Sequence, residues 1–466
     1  MIPIFPDKIA NKGIAMYLIS LAVVSIAFFK YAMPVVYILF GIMWVTGFFL
    51  LSSSCSKKWM RYPVNRFAWR VFWVALLLRI VWVVFSYFFY KSQTGQPFEF
   101  DAADAVGYHE DAKWLALCKG WDTAWNYWGH FRGVSDIGYQ FWLTLVYKVF
   151  GPSIIIARII KSILSAITCV MLYKLASRNI GEFPGRMAAV FSTFMPNFII
   201  YCGMHLKETE MLFLIVAFLE RADYLIRCRH YNVFTIAVPA LLALSLFFFR
   251  TVLGVVAIIS LFAGLIFTST KLVGRAKRAV LIGLGVVSIA GFAGGTIATE
   301  VEGYWELRVV NEVNKRAYQT ARGNQWAKYA TGTVLAPMAF VMPFSTMVDT
   351  GQENQMILHG GNYVRNFFGI FVLLALFYAV FKDRNWRNLS LIGAFTVGYL
   401  GVISVSGYGN AERFLLPALP CLLIMTAYGI SKLNAGNYKY VKYWYAIVVL
   451  MEVAWAYFKI GSRGLL

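Results

Sequence analysis

Charged residues are scarce in this chain: they make up only 14% of its 466 residues, whereas 60% are hydrophobic. A water-soluble domain is typically about 25% charged and roughly 45–50% apolar. A bilayer-spanning helix needs about 20 mostly apolar residues. Four clear stretches of that kind cover residues 14–29, 33–51, 71–90 and 363–381. The composition excludes a water-soluble fold and predicts an all-α integral membrane protein.

Two features of secreted proteins are missing. The six cysteines follow no CxxC spacing, and most of them lie within apolar stretches. This pattern is typical of small core residues and not of a disulfide framework or a zinc site. Lys8 and Lys12 precede the first apolar stretch, as in a signal peptide, but no small-x-small cleavage site follows. We therefore expect the first span to be retained.

Acidic residues are also few: 22 Asp and Glu stand against 43 Lys and Arg, which gives a net charge of +21. In a soluble protein this excess would indicate a nucleic-acid partner, but here the basic residues gather in short loops between apolar stretches. Such loops face the cytoplasm, and their alternation predicts a cytoplasmic amino terminus and about thirteen spans. The predicted cytoplasmic loops cover residues 57–70, 174–186, 227–230, 271–278 and 382–387, with residues 91–139 and 300–333 outside.

The spans are predicted to form one membrane domain, residues 55–466, preceded by a transmembrane hairpin, residues 1–54. Two outer loops, residues 91–139 and 299–362, are predicted to carry helices that lie along the membrane interface. The first loop is rich in Trp and Tyr, which favour the headgroup level.

Two apolar segments are too short to span the membrane. Residues 140–150 are followed by Gly151-Pro152 and are predicted to form an interfacial or half-inserted helix. Residues 335–347 contain Pro337 and Pro343, and we expect this segment to stay at the outer interface.

Two acidic clusters are predicted to meet on the outer side. One lies in the acid-rich loop 91–139, where Asp104 and Tyr108 are four residues apart and would share one helix face. The other follows a span predicted over residues 187–202, which leads to the sequence His-Leu-Lys-Glu-Thr-Glu at residues 205–210. Although about a hundred residues separate the clusters, the topology places both on one face.

Basic side chains are expected beside these acids. Arg158 lies about a turn and a half inside its span, where an unpaired guanidinium is costly and needs an anion. Arg250 occupies an outer turn, and the Glu412-Arg413 pair reaches the same level. Carboxylates among cations at the outer mouth of an apolar bundle favour an anionic lipid headgroup beside a general base.

Five sequence elements follow one another in a specific order between residue 71 and about residue 430. They are Asp104-x-x-x-Tyr108; Gly138-Tyr139 with Phe150-Gly151; Ala157-Arg158; Pro196 and Tyr201 with Lys207-Glu208; and Glu412-Arg413-Phe414-Leu415-Leu416-Pro417-x-x-Pro420. This order resembles the multipass glycosyltransferases of the C-type fold, which include protein O-mannosyltransferases and lipid A aminoarabinose transferase. Two departures are visible: Asp-Ala stands at 104–105 where the best-known members have Asp-Glu, and either Glu208 or Glu210 matches the second acidic position.

The resemblance implies an inverting transfer of a sugar from a polyprenyl-phosphate carrier to an acceptor hydroxyl outside the cytoplasm. Asp104 would be the general base and Glu208 or Glu210 the second site acid. Tyr108 and His109 would shape the site. The other substrate-binding residues would be Asp101 beside the base and, around the leaving phosphate, Arg158, Lys207, Arg250 and Arg413.

The expected partners are the lipid-linked sugar donor, a lipid, glycan or protein acceptor, and membrane lipids, but no nucleic acid. A divalent cation, Mg²⁺ or Mn²⁺, is left open as a cofactor. The expected location is a bacterial inner (plasma) membrane with an extracytoplasmic site.

Two other classes compete with this interpretation. A polysaccharide polymerase or ligase would also use lipid-linked glycans, but its large outer loop usually carries recurrent Arg, whereas the first outer loop here is acid-rich. A lipid or solute transporter would place charges near the membrane midplane and show repeated halves. In this chain the polar groups gather at one face, and no repeat is visible.

Overall fold

The computed structural model describes residues 4–131, 134–228, 232–268, 338, 340–405 and 412–462. Within these residues the chain is helical, and its β-type pairing is limited to an isolated bridge between Ala32 and Val348. In chain order the α-helices are α1 (Asp7–Ala27), α2 (Val35–Trp59), α3 (Val64–Thr94), α4 (Ala103–Leu117), α5 (Asp122–Phe131), α6 (Val134–Phe150), α7 (Ile154–Ile180), α8 (Glu182–Phe194), α9 (Pro196–Ile200), α10 (Glu208–Arg227), α11 (Val233–Phe249), α12 (Thr251–Thr268), α13 (Glu353–Phe377), α14 (Ser390–Val405), α15 (Glu412–Leu415), α16 (Leu419–Ser431) and α17 (Tyr438–Ser462).

Eight of the described helical stretches are long and apolar enough to cross a membrane: α1, α2, α3, α7, α12, α13, α15 with α16, and α17. Helices α11 and α14 are apolar but shorter. These helices support the integral membrane class. The predicted number of about thirteen spans is not confirmed, and the predicted loops 271–278 and 300–333 lie outside the described residues.

The amino-terminal hairpin, α1 and α2, packs into the common core. Gly41 of α2 approaches α13 so closely that an added Cβ would lie 2.0 Å from His359 Nε2. Tyr17 OH of α1 lies 2.8 Å from the same nitrogen, and Tyr363 OH donates a hydrogen bond to Gly13 O at 3.0 Å. The hairpin therefore shares one contiguous hydrophobic core with the later helices.

A buried charge fastens α3 to α7 and α8. Arg79 is completely buried in the middle of α3, where an unpaired guanidinium would be costly. Its Nε donates to Ser165 Oγ of α7 at 2.7 Å. Its other nitrogens donate to the carbonyls of Ser192 at 3.2 Å and Thr193 at 3.3 Å in α8. Neighbouring helices thus supply the acceptors that lipid cannot provide.

The segment 187–202, predicted to cross the membrane, is not one continuous helix. The chain forms α8, breaks at Met195, forms the short α9 and ends in a 3-10 turn at Gly203. Proline lacks an N–H group and disfavours the helical conformation of the residue before it. Met195, which precedes Pro196, accordingly has an extended ψ of 115°.

The first predicted outer loop contains three helices, α4, α5 and α6. Helix α6 ends at Phe150, as predicted, and Gly151 follows in the left-handed conformation with a φ of +78°, which glycine adopts without strain. It begins at Val134, so it is longer than the predicted segment 140–150. Trp125 of α5 is 58% exposed, whereas Trp128 is buried.

The segment 341–348 belongs to the stretch predicted to stay at the outer interface, and its level relative to a membrane stays a prediction. It is non-helical and almost completely buried. Pro343 cannot extend a helical hydrogen-bond ladder, so the backbone carbonyls need other partners. Helix α13 supplies them: Asn366 Nδ2 donates to Val341 O at 2.6 Å, and Arg365 donates to Pro343 O at 2.5 Å. Helix α13 also begins at Glu353, so the last ten residues of the predicted outer loop 299–362 are helical.

The basic loops gather at one end of the bundle, called here the basic end. Arg186 donates to Tyr62 O at 2.6 Å, which joins the loop 57–70 to the loop 174–186. Asn179 accepts from Arg227 at 2.9 Å through its side chain and from Asn385 at 3.3 Å through its carbonyl. The predicted grouping of these four loops is confirmed, while the side of the membrane that they face stays a prediction.

A topology measurement tests that side. We expect a cysteine at exposed Asp122 to react with a membrane-impermeant maleimide in intact cells, and a cysteine at exposed Arg61 to react only after lysis. Both cysteines are introduced into a variant whose six natural cysteines have been replaced. Labelling of Asp122→Cys only after lysis would invert the topology and move the site to the cytoplasmic face.

Candidate functional site

Two adjoining cavities lie at the end of the bundle opposite the basic end. The first cavity has a volume of about 220 Å³ and the second about 270 Å³. Asp104, Leu206 and Arg413 border both of them. The charged residues that line the first cavity are Glu99, Asp101, Asp104, Glu412 and Arg413, and those that line the second are Asp104, Asp136, Lys207, Glu208, Arg250 and Arg413.

An ion pair forms part of the wall between the cavities. Arg413 Nη1 donates to Asp104 Oδ2 at 2.7 Å. Asp104 lies in the first turn of α4, where the helix dipole favours an anion. The side chains of Asp104 and Arg413 are 53% and 42% exposed, so small molecules in either cavity can reach both. The structure thus brings together two residues that are 309 positions apart.

One face of α4 borders the second cavity, as the four-residue spacing of Asp104 and Tyr108 predicts. Asp136 of α6 connects two side chains that line this cavity. Tyr108 OH donates to Asp136 Oδ1 at 3.0 Å, and Lys207 Nζ donates to the same oxygen. Lys207 also donates to Ser135 O at 3.1 Å. Burial lowers the pKa of Lys207, and the carboxylate of Asp136 acts in the opposite direction.

Arg250 occupies the predicted turn between α11 and α12 and points to the second cavity. Its Nη1 donates to Tyr399 OH at 2.9 Å, and its guanidinium lies 4.4 Å from the centre of the Phe414 ring. Within the described ranges it forms no salt bridge, whereas Lys207 and Arg413 each have one. Arg250 is therefore the cation of this cavity that is most available to an anionic ligand.

The two candidates for the second acid differ in position. Glu208 lines the second cavity, is 2% exposed, and its Oε2 has no hydrogen-bond partner in the described part of the chain. Glu210 lines neither cavity, and its Oε2 lies 3.7 Å from Lys161 Nζ. Both oxygens of Glu210 also lack a hydrogen-bond partner among the described residues, so the position of Glu208 at the cavity is what favours it as the site acid.

Arg158 does not reach either cavity, contrary to the substrate-binding role predicted for it. It is completely buried in α7, where Nη2 donates to Pro97 O at 2.7 Å and lies 3.9 Å from Glu99 Oε2. The anion that lies beside it in the structure is thus the carboxylate of Glu99. Burial raises the pKa of Glu99, and the guanidinium of Arg158 acts in the opposite direction. Arg158 positions the segment that leads to Asp101 and α4.

Lys161, three residues after Arg158, has the same function for the other acidic motif. It is completely buried, and its Nζ donates to Met204 O at 3.0 Å and to Leu206 O. These carbonyls belong to the segment that precedes Lys207 and α10. One turn of α7 therefore holds both chain segments that carry the site acids.

His109 also lies outside both cavities, so the structure gives it no direct contact with a ligand there. Its Nδ1 is 2.7 Å from Tyr147 OH, which lies 3.3 Å from His205 Nε2. Burial lowers the pKa of both imidazoles, which keeps both rings neutral at pH 7. The backbone N–H of His205 donates to Glu99 Oε2 at 3.0 Å, so His109 supports the first cavity indirectly.

Sequence reasoning does not single out four residues of this neighbourhood: Glu99, Asp136, Lys161 and Asn354. Lys161 has a usable signal, because a second charge one turn after Arg158 in an apolar helix also needs a partner. Glu99 and Asp136 are two among several acids of one loop, and spacing does not distinguish them. Asn354 falls in a segment predicted to be a loop, whereas it lies in α13 and donates to Phe100 O.

Comparison with known proteins identifies no relative: no family model matches the chain, and no curated protein matches it. Among the described residues, no group of three His, Cys, Asp or Glu side chains is arranged to hold a metal ion. A role for Mg²⁺ or Mn²⁺ stays untested. The chemistry of the site is therefore argued from its own residues.

Replacement of Lys161 tests its positioning role. We expect Lys161→Met to lower the free energy of unfolding by about 3–5 kcal/mol, because it leaves Glu210 buried without its charge partner. The double variant Lys161→Met/Glu210→Gln should recover part of this loss. Thermal and denaturant unfolding in detergent measures both. An equal loss in the single and double variants would contradict the coupling.

Proposed function

We propose that this protein is a membrane glycosyltransferase similar to the C-type enzymes. It would transfer a sugar from a polyprenyl-phosphate carrier to an acceptor hydroxyl on the extracytoplasmic face, with inversion at the sugar carbon. Asp104 would act as the general base. The proposal rests on the sequence resemblance together with the arrangement of the two cavities.

The observation that carries the proposal is the position of Asp104 in the wall that both cavities share. In a direct transfer the acceptor oxygen must approach the sugar carbon while its proton goes to the base, so acceptor and donor need adjoining spaces with the base between them. Asp104 borders both spaces and its side chain is 53% exposed. In the structure its carboxylate accepts a hydrogen bond from Arg413.

The distribution of charge supports binding of the donor phosphate in the second cavity. Lys207, Arg250 and Arg413 border this cavity, whereas the cationic lining of the first cavity consists of Arg413 within the described part of the chain. The phosphate gains negative charge as its bond to the sugar breaks. Cations that are already in place therefore stabilise the transition state more than the ground state.

The reaction is then a single displacement. Asp104 accepts the proton of the acceptor hydroxyl while the hydroxyl oxygen forms a bond to the anomeric carbon of the sugar. The bond between that carbon and the phosphate oxygen breaks, and its electron pair leaves with the polyprenyl phosphate. Attack from the face opposite the phosphate inverts the configuration at this carbon. Glu208 lines the second cavity and would accept a hydrogen bond from a sugar hydroxyl there.

Asp104→Asn tests the general base. The change keeps the size of the side chain and removes its basicity, so transfer should fall by about 10²- to 10⁴-fold while the protein still folds. Mass spectrometry of lipid-linked sugars and surface glycans, in cells with and without the protein and at matched membrane levels, provides the readout. Transfer at the wild-type level in Asp104→Asn would refute the assignment.

Two carboxylates serve as controls for Asp104. Glu110 lies on the same helix, is 58% exposed and lines neither cavity, so Glu110→Gln should leave transfer unchanged. Asp101 lines the first cavity but does not border the second, so Asp101→Asn should have a milder effect than Asp104→Asn. A larger loss in Asp101→Asn would move the base to that residue.

Arg250→Gln tests the phosphate site. Hydrogen bonds to charged groups contribute about 1.5–3 kcal/mol, so the affinity for polyprenyl phosphate should fall by roughly tenfold to a hundredfold. Titration of the purified protein with polyprenyl phosphate, followed by native mass spectrometry, measures the change. Arg61→Gln, an exposed arginine at the basic end, is the matched control. An unchanged affinity in Arg250→Gln would exclude Arg250 from phosphate binding.

A further inference from the structure

Helix α3 has an exposed face that runs from the basic end into its apolar span. Arg66, Trp69, Arg70, Trp73 and Leu77 follow one another at intervals of one to four residues that place their side chains on this face. All five side chains are exposed, and the two indole rings stack with their centres 6.2 Å apart. This set, called here the α3 stripe, changes from cationic through aromatic to aliphatic over about three helical turns.

Tyr62 brings the two arginines of the α3 stripe together on one aromatic ring. The guanidinium of Arg66 lies 4.9 Å from the centre of the Tyr62 ring, and that of Arg70 lies 4.5 Å from the same centre. Like charges four residues apart on a helix repel each other. An anion that both guanidinium groups contact would offset this repulsion. A guanidinium that stacks on a ring keeps its N–H groups available to such an anion.

A buried arginine holds the turn that carries Tyr62. Arg186 of α8 is buried, and its Nη1 donates to Met60 O at 3.1 Å and to Tyr62 O at 2.6 Å. The same guanidinium lies 5.0 Å from the centre of the buried Phe67 ring, which follows Arg66 in the chain. The turn and the start of α3 are therefore in place before a ligand binds, which lowers the ordering cost of binding.

No carboxylate of the described part of the chain neutralises the α3 stripe. The sequence has no acidic residue at positions 8–98. Asp7 is paired with Lys57, and Glu182, the first residue of α8, is paired with Arg186 at 2.5 Å. The two arginines of the stripe form no salt bridge within the described ranges. Their positive charge is available to an anion from outside the protein.

We infer that the α3 stripe binds one anionic phospholipid. Its two arginines donate to the phosphate oxygens. The two indoles lie next along the helix, and indole rings favour the headgroup level of a bilayer. The acyl chains follow Leu77 and the exposed Val81, on a helix that is long and apolar enough to cross a membrane. The order of chemical groups along the helix thus matches the order along a phospholipid.

The charge of the α3 stripe favours a lipid with a net negative charge over a zwitterionic one. A phosphate diester carries a single negative charge, against two guanidinium groups. The ammonium of phosphatidylethanolamine adds a further positive charge beside them, whereas the glycerol headgroup of phosphatidylglycerol adds none. This site lies at the end of the bundle opposite the two cavities, so it goes beyond the proposed transfer and does not depend on it.

Titration of the full-length protein in detergent with two lipids tests the inference. Dioleoyl phosphatidylglycerol and dioleoyl phosphatidylethanolamine have the same acyl chains and the same phosphate diester, but only the first has a net charge. We expect native mass spectrometry to show that the first phosphatidylglycerol binds roughly tenfold more tightly than the first phosphatidylethanolamine. Equal affinities for the two lipids would overturn the inference.

A matched pair of double variants locates the lipid. Arg66→Gln/Arg70→Gln removes both phosphate donors, so the preference for phosphatidylglycerol should fall to less than about twofold. Arg384→Gln/Arg387→Gln removes two positive charges from exposed positions at the same end of the bundle and should keep the full preference. Equal preferences in the two double variants would contradict a site on α3. Arg70→Gln alone, with an expected preference of roughly threefold, provides a second test if the first double variant does not fold.

Crosslinking separates a lipid from a second copy of the chain. Phosphatidylglycerol with a photoreactive diazirine in its acyl chain should crosslink to the α3 peptide that contains Trp73 and Leu77, and Arg66→Gln/Arg70→Gln should lower the yield. Crosslinks that are mainly on other helices, or that keep their yield in this variant, would contradict the site. A dimer, measured by light scattering, that dissociates in the same variant would assign the stripe to a second copy and overturn the inference. None of these measurements needs turnover, so their failure leaves the proposed transfer standing.

Discussion

The site depends on two buried cations that lie one turn apart on α7. Arg158 holds the segment before α4 through Pro97 O at 2.7 Å, and Lys161 holds the segment before α10 through Met204 O at 3.0 Å. The two acidic motifs are distant in the chain, yet both are positioned against one rigid helical turn. Each cation faces a buried carboxylate, at 3.9 Å for Glu99 and 3.7 Å for Glu210. A buried ion pair adds little net stability, but its loss is costly, so these pairs enforce one arrangement of the segments.

The exposed ion pair of the site has a different physical character. Asp104 and Arg413 are about half exposed, and a solvated pair of this kind contributes roughly 0–1 kcal/mol. A substrate can therefore displace or share either partner at little cost. The buried pairs on α7 hold the segments before α4 and α10 in place. The exposed pair, in contrast, can change its contacts when a ligand binds. Asp104 and Glu208 both lie in the first turn of a helix, so the dipoles of α4 and α10 favour both anions.

The sequence predicts the features that depend on residues close to one another in the chain. Apolar length and the clustering of basic residues predict the helices and the grouping of the basic loops, and the four-residue spacing predicts that Asp104 and Tyr108 share a face. Local rules also indicate that Arg158 needs an anion. They do not identify the anion, because Glu99 is one of several acids in its loop and only the path of the backbone brings it near. The break before Pro196 also has a local cause, because proline disfavours the helical conformation of the residue that precedes it.

Burial of the segment 341–348 could not be predicted for a related reason. An apolar segment that contains proline and is too short to span the membrane is predicted to lie at the interface, because its backbone groups need water or protein partners. Here α13 provides those partners through Asn366 and Arg365, which are polar residues inside an apolar helix.

The same compensation explains Arg79, whose guanidinium is held by carbonyls and hydroxyls of neighbouring helices. Polar residues within spans therefore have two distinct meanings. Arg79 and Arg365 satisfy other parts of the protein, whereas Arg250 and Glu208 line a cavity, Arg250 without a salt bridge in the described part of the chain and Glu208 with one oxygen that has no hydrogen-bond partner there.

The two cavities differ in charge because different charged side chains line them. Lys207 and Arg250 line the second cavity and not the first, so an anion is favoured in the second cavity. In the proposed transfer the donor phosphate then lies in the second cavity, and Asp104 lies between it and an acceptor in the first cavity. A direct displacement needs this order, because a base between two substrates acts only if each enters its own side. The electrostatic asymmetry thus supplies the orientation that the shape of two similar cavities could not provide alone.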